Sequence, residues 1–167
     1  MAGDVMAEAH KLIVGARGWD HAGWHDTFYP EDLPEDWRLS YYANEFAGVL
    51  LPEALWRVTG PETISGWCDD VPDDFLFFLE SLGGHASDRL AAVYRDLFGT
   101  HWGGVPVTGE SLMSADEKWD LRRLRERFGV IAAQSKGVSG VQGFFLYGDP
   151  PDINHLREAR LLADMLS

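Results

Sequence analysis

Apolar positions change their spacing several times along this chain, and each change marks an element. Leu12 to Gly15 is a short apolar run ended by glycine, the pattern of a buried strand. From Arg17 to Asp36 the periodicity vanishes, yet the stretch holds Trp19, Trp24, Phe28, Tyr29 and two prolines. A loop so long and so aromatic is expected to pack onto the body. Trp37, Tyr41 and Phe46 then recur at steps of four and five, predicting a helix that turns them inward. Gly48 to Leu51 reads as a second strand. Pro61 suits a first helical position, where its missing N–H costs nothing, and Glu62 favours the positive helix end. That helix is expected to reach Val71, with Ile64, Trp67 and Cys68 facing inward. Phe75 to Leu79 (FLFFL) is continuous and apolar, as in a strand buried on both faces.

The second half is spaced differently. Ser87 is placed to cap a helix carrying Leu90, Val93, Tyr94, Leu97 and Phe98 at steps of three and four, closed by Gly99. Gly99 to Met113 is a loop with four glycines and one proline, leaving room for a short edge strand at Val105 to Val107. Ser114 and Glu117 form a capping-box signal before a long helix with Leu121, Leu124, Phe128 and Ile131 on one face. Gly129 costs that helix about 1 kcal/mol relative to alanine and marks a point where it could break. Gln142 to Tyr147 (QGFFLY) is a last strand, and Asp152 caps a final helix through Leu166 with Leu156, Leu162 and Met165 inward. No repeat, low-complexity tract or linker interrupts the 167 residues, so a single domain is expected.

Composition narrows the partners. Hydrophobic residues make up 46% and charged residues 25%, as in globular proteins generally, while the formal net charge is −13. Such a surface repels phosphate backbones and anionic membranes, which argues against nucleic-acid and membrane binding. A lone Cys68 excludes an internal disulfide and a multi-cysteine metal site. The N-terminus shows no basic region followed by an apolar run, and no stretch approaches the roughly 18 apolar residues of a membrane span. A cytoplasmic protein is expected.

The order of LIVGARGW, HDTFYPEDLPEDWRLSYYANEFAGVLL and LWRVTGPETISGW resembles the opening of the YecE-like family, domain of unknown function 72. Ser114 to Gly137 with VQGFFLYGD and HLREARLLADML resembles its end. The resemblance implies an α/β fold of the β/α (TIM-type) barrel kind. A barrel of this kind typically needs about 250 residues. With 167, an abbreviated, incomplete barrel is expected: an open, mostly parallel sheet of four to five strands, in the order eight-one-two-three of the parent ring. Removing the middle of a ring exposes two strand edges and one sheet face. The helix after Ser87, the glycine-rich loop or a second copy of the chain would have to cover them.

The resemblance also locates the working end of the fold, just beyond the strands. The family's Thr-Ser-Gly-Trp corresponds here to Ala16-Arg17-Gly18-Trp19. Its Glu and Asn of strand two fall on Leu50 and Pro52, its Lys after strand three on Glu80, and its paired Asn after strand eight on Gly148 and Asp149. Trp19, Phe28, Tyr29, Pro30, Arg57 and Trp67 match; the ionisable centre does not. Replacing a carboxylate by Leu removes an acid, base or ligand outright.

Two functional readings follow. In the first, the chain is a catalytically degenerate relative acting as a binding or assembly module, its exposed sheet covered by a homodimer or protein partner. In the second, it is a small enzyme in which Arg17 holds an anionic substrate and Glu80 or Asp149 acts as general base. Trp19, Tyr29, Trp56 and Arg57 are the other candidate ligand-binding residues, the first three lining a pocket mouth. His21 and His25, four apart in DHAGWHD, are weak metal candidates without a third ligand. His85 and His101 read as solvated loop residues. No GxSxG, HExxH, P-loop or dinucleotide fingerprint is present, and no cofactor is implied.

Overall fold

A computed structural model describes residues 11–81, 88–106, 109–134 and 141–166. Among the described residues six parallel strands are interspersed with helices, in the order β1 Lys11–Ala16, α1 Arg38–Glu45, β2 Gly48–Leu51, α2 Glu53–Trp56, α3 Pro61–Asp69, β3 Leu76–Leu79, α4 Asp88–Phe98, β4 Trp102–Gly104, β5 Leu112–Met113, α5 Leu121–Gln134, β6 Val141–Leu146 and α6 Ile153–Leu166. They form two open three-stranded parallel sheets, β5-β6-β1 and β2-β3-β4, with β1 running alongside β2. Val14 pairs with Phe144, the neighbour relation expected of the two ends of the chain.

The seam between the sheets is unusual. A single bridge joins Arg17 to Leu50, and the Gly18 N–H donates to the Leu50 carbonyl at 2.8 Å. Further down, the Tyr42 hydroxyl of α1 stands in for a ladder bond. It accepts from the Ala16 N–H at 2.8 Å and donates to the Gly48 carbonyl at 2.7 Å. The strands close so tightly below this point that a Cβ on Gly15 would lie 2.1 Å from the Gly48 carbonyl oxygen, which only glycine avoids.

The outward faces of the strands carry the main core. Val14, Val49, Phe77 and Phe144 pack under the helices with Tyr42, Phe46, Ile64, Phe98, Phe128 and Leu156. The opposite face holds a separate small cluster of Ile13, Leu50, Phe78 and Phe145, all at most 2% exposed. Rings of Phe78 and Phe145 meet at 4.9 Å although β1 and β2 lie between their strands, so the surface curls enough to cover its own concave side. Two glycines make room: a Cβ on Gly103 or Gly143 would stand 2.7 Å from the Phe78 ring or 2.3 Å from the Phe145 ring. Of the covering elements expected, the Gly99–Met113 stretch supplies β4 and β5, which pair with β3 and β6 at the two edges, and Leu112 of β5 packs against this cluster.

Other expectations are revised as well. Among the described residues there are six strands rather than four or five, because β4 and β5 are three and two residues long and carry too little pattern to be seen. The first edge strand lies at Trp102–Gly104, before the expected Val105–Val107, of which Val107 falls outside the described residues. The Ser114 N–H does donate to the Glu117 carboxylate at 3.0 Å, but the Ser114 hydroxyl accepts from the Asp116 N–H, and no helix follows until Leu121, where the Asp120 carboxylate accepts from the Arg122 N–H at 2.9 Å. Gly129 does not break that helix. Trp37, Val93, Leu121 and Met165 sit at the ends or margins of their helical stripes and are exposed, not inward. His101 is buried, its Nδ1 2.7 Å from the Phe75 carbonyl. Ser87 and His85 lie outside the described residues.

Candidate functional site

Parallel strands all end on the same side, so residues following β1, β2, β3 and β6 converge. Arg17 follows β1, the backbone of Glu53 opens α2 just beyond β2, Glu80 follows β3, and Tyr147 follows β6. All meet at the Glu80 carboxylate. Arg17 donates from Nε at 2.7 Å and from Nη2 at 3.0 Å, the two-pronged geometry suited to a carboxylate. The Glu53 N–H donates at 3.0 Å and the Tyr147 hydroxyl at 2.5 Å. The Arg17 guanidinium lies 5.0 Å from the centre of the Tyr147 ring, adding a cation–π contact.

Burial alone would push the Glu80 carboxyl up, since the residue is 2% exposed. The bonds from Arg17, Tyr147 and the Glu53 N–H outweigh it and hold the carboxyl below the usual range. The same hydrogen bond to Glu80 raises Arg17 against its own desolvation. Desolvation, with Glu80 beside it, pushes the Tyr147 hydroxyl well above its ordinary value. At neutral pH the group is thus carboxylate, guanidinium and neutral phenol. A general base needs a free lone pair and a pKa near the working pH, and Glu80 has moved away from both.

Among the described residues, none of the remaining candidates bonds the Glu80 carboxylate. Asp149 is exposed, and among the described residues it makes no ion pair with Arg17. Trp56 is 1% exposed; its indole N–H donates to the Glu80 carbonyl at 2.8 Å while Tyr94 donates to its own carbonyl. Arg57 lies over the Trp56 ring and pairs with Glu53 at 2.5 Å. Tyr29 is buried and donates to the Trp19 carbonyl. His21 and His25 do not share a helical face, because the residues between them form a 3-10 turn. The His21 Nε2 lies 2.9 Å and 3.3 Å from the Arg17 and Gly18 carbonyls, which only accept, so this nitrogen carries the proton; burial lowers the ring's pKa. His25 is 3.6 Å from Asp20. Among the described residues no three His, Cys, Asp or Glu side chains converge to hold a metal, and no helix is long and apolar enough to cross a membrane.

Sequence reasoning missed Tyr147. As the last residue of QGFFLY it reads as a strand end, and its only signal is its place one residue beyond the strand's last paired position. Trp19, by contrast, does face open space. It meets Trp67 edge to face at 5.0 Å, and the two stand in a groove of about 1010 Å³ between α1 and α3.

Residues 13–93 match the family model described as protein of unknown function DUF72. The fold is similar to the crystal structure of a DUF72 family protein from Thermotoga maritima MSB8, with a TM-score of 0.56 at 12% identity, over 92% of this chain and 99% of that one. No curated protein matches the sequence.

Proposed function

With residues 13–93 belonging to the DUF72 family and the rest of the chain continuing the same parallel α/β fold, we propose that this is a shortened β/α-barrel-type member that works by binding, not by catalysis. One observation carries the reading. At the end of the sheet where a barrel of this kind does its chemistry, the sole buried carboxylate among the described residues, Glu80, spends its lone pairs on Arg17, Tyr147 and a backbone N–H. Leu50, at the position aligned with the family's strand-two carboxylate, is fully buried in the concave cluster. The mouth is stoppered by an ion pair below which lies hydrocarbon.

An assembly role is compatible with this reading but takes a different form. The concave face is filled within one chain, so a second copy or a protein partner would meet the outer helices. A cytoplasmic setting, an acidic surface and one half-buried thiol at Cys68 fit such a module.

The competing enzyme would need Arg17 to release Glu80 and take an anionic substrate. Titrating inorganic phosphate while following the Arg17 Nε–H resonance by NMR tests this. The stoppered mouth predicts no saturable shift up to millimolar phosphate. A saturable shift, with Glu80 becoming protonatable near neutral pH, would sink the module reading and favour the enzyme.

A further inference from the structure

The groove between α1 and α3 lies outside the stoppered mouth and is built for a ligand of one sign. Trp19 and Trp67 form its corner, their planes crossing at 88°. On the α1 side stands Trp37, 64% exposed, although a side chain of this size is normally sheltered in a monomer. Gly66 on α3 leaves the wall open, for a Cβ there would meet nothing within 4 Å. The depth is maintained from below, where Ser40 of α1 donates to the Asp70 carbonyl after α3 at 2.8 Å.

Charge selects the occupant. Asp20, Glu35, Asp36 and Asp70 line the same groove, with Arg38 on Asp20 at 2.8 Å as the cation among them. Among the described residues Asp36 and Asp70 have no ion-pair partner. Asp69 and Asp70 also sit at the C-terminal end of α3, followed by Asp73 and Asp74. A helix C-terminus carries partial negative charge, so these carboxylates are placed against the local field, an arrangement a cationic occupant would relieve. Exposed indole faces among carboxylates attract ammonium and guanidinium groups, and arginine stacks on them. The volume exceeds that of most small-ligand pockets, and while Asp20 and Glu35 share Arg38 at 2.8 Å and 4.0 Å, Asp36 and Asp70 are left to an occupant.

We infer that this groove docks a lysine- and arginine-rich segment of a partner protein, its basic side chains lying against Trp37, Trp19 and Trp67. The inference names the ligand class for the binding reading above and rests on it. A fluorescein-labelled hexapeptide of alternating Lys and Arg, titrated by anisotropy at physiological salt, is the test. Trp37→Ala and Asp36→Asn with Asp70→Asn are each expected to weaken binding at least tenfold. Gly66→Leu should do the same by filling the groove, and Leu is the better helix former, so the fold is retained. Removing two charges elsewhere, Glu126→Gln with Asp164→Asn, should change affinity less than twofold. Four results would overturn the inference: no binding to the wild-type chain at millimolar peptide; equal weakening by both charge pairs with Trp37→Ala silent, which is diffuse attraction to an acidic protein; tetramethylammonium binding as tightly as the peptide, which is a small-cation pocket; or sedimentation showing self-association that Trp37→Ala abolishes, which makes a second copy the occupant. None of these moves the Arg17 resonance in phosphate, so loss of this inference and loss of the non-catalytic reading are separable.

Discussion

Replacing Tyr42 by Phe removes one oxygen atom from the seam on which the two sheets depend. The ring stays, so the packing against Phe46, Trp24 and Phe75 is unchanged in kind. What is lost is an acceptor for the Ala16 N–H and a donor to the Gly48 carbonyl. Tyr42 is 0% exposed, so water has no route to take the oxygen's place. A buried backbone group left without a partner costs about 1–3 kcal/mol. Two such groups, allowing for partial relaxation of the seam, give a loss of about 2–4 kcal/mol. Against a total stability of about 5–15 kcal/mol this is large, and for a domain of this size it corresponds to a melting point lower by about 4–16 °C. Urea unfolding followed by tryptophan fluorescence measures the loss, and hydrogen exchange at Ala16 locates it. The seam is also where direct pairing is closest to closing, since Gly15 already approaches Gly48. A cost below about 0.5 kcal/mol with the Ala16 amide still protected would mean that the strands zip together unaided, and the hydroxyl staple would be refuted.

Other expectations come from the same coordinates. Glu80→Gln leaves Arg17 facing a neutral amide; as Arg17 is 34% exposed, the loss falls near the low end of that for a broken buried pair, about 3 kcal/mol by urea unfolding at pH 7. Glu80, Glu45 and Glu117 all have folded pKa values below their ordinary ones, so the stability they contribute is complete above about pH 5 and drains as pH falls through their folded values. Tyr29, Tyr42 and Tyr147 are shifted upward, chiefly by burial, so stability should also fall once pH exceeds about 10; a melting-temperature profile flat from pH 3 to 12 would contradict both signs. Phe145→Ala removes one of the two rings of the concave cluster and should cost about 3–5 kcal/mol. Gly103→Ala pushes a methyl into the Phe78 ring and should cost about 1–3 kcal/mol, whereas the same change at Gly129, with open space around it, should be stabilising.

Much of the fold was legible because it depends on pattern. GVLL, FLFFL and QGFFLY announce strands by unbroken apolar runs, and Ile64, Phe128 and Leu156 recur at helical spacing because one side of each helix must leave water. Motif order carried the parallel pairing of the first and last strands. The ion pair of Arg17 with Glu80 is not legible in the sequence, since the two follow different strands and an arginine in a chain of net charge −13 has many carboxylates to choose among. The helix margins at Trp37 and Met165 could not be judged, because spacing places a residue on a stripe without saying how far the neighbouring element extends over it.

The chain order of residues therefore determined the longer elements, the layer type and the residues at the ends of the longer strands, all of which follow from local periodicity and short-range capping. Only the tertiary structure decided the curl. It brought Phe78 onto Phe145 across two strands, set Tyr42 between Ala16 and Gly48, carried Tyr147 to Glu80, and opened the indole groove between α1 and α3. Each of these joins residues from separate elements through side-chain packing, and sheet twist and curvature, which set those distances, are properties of the assembled strands and not of any single one.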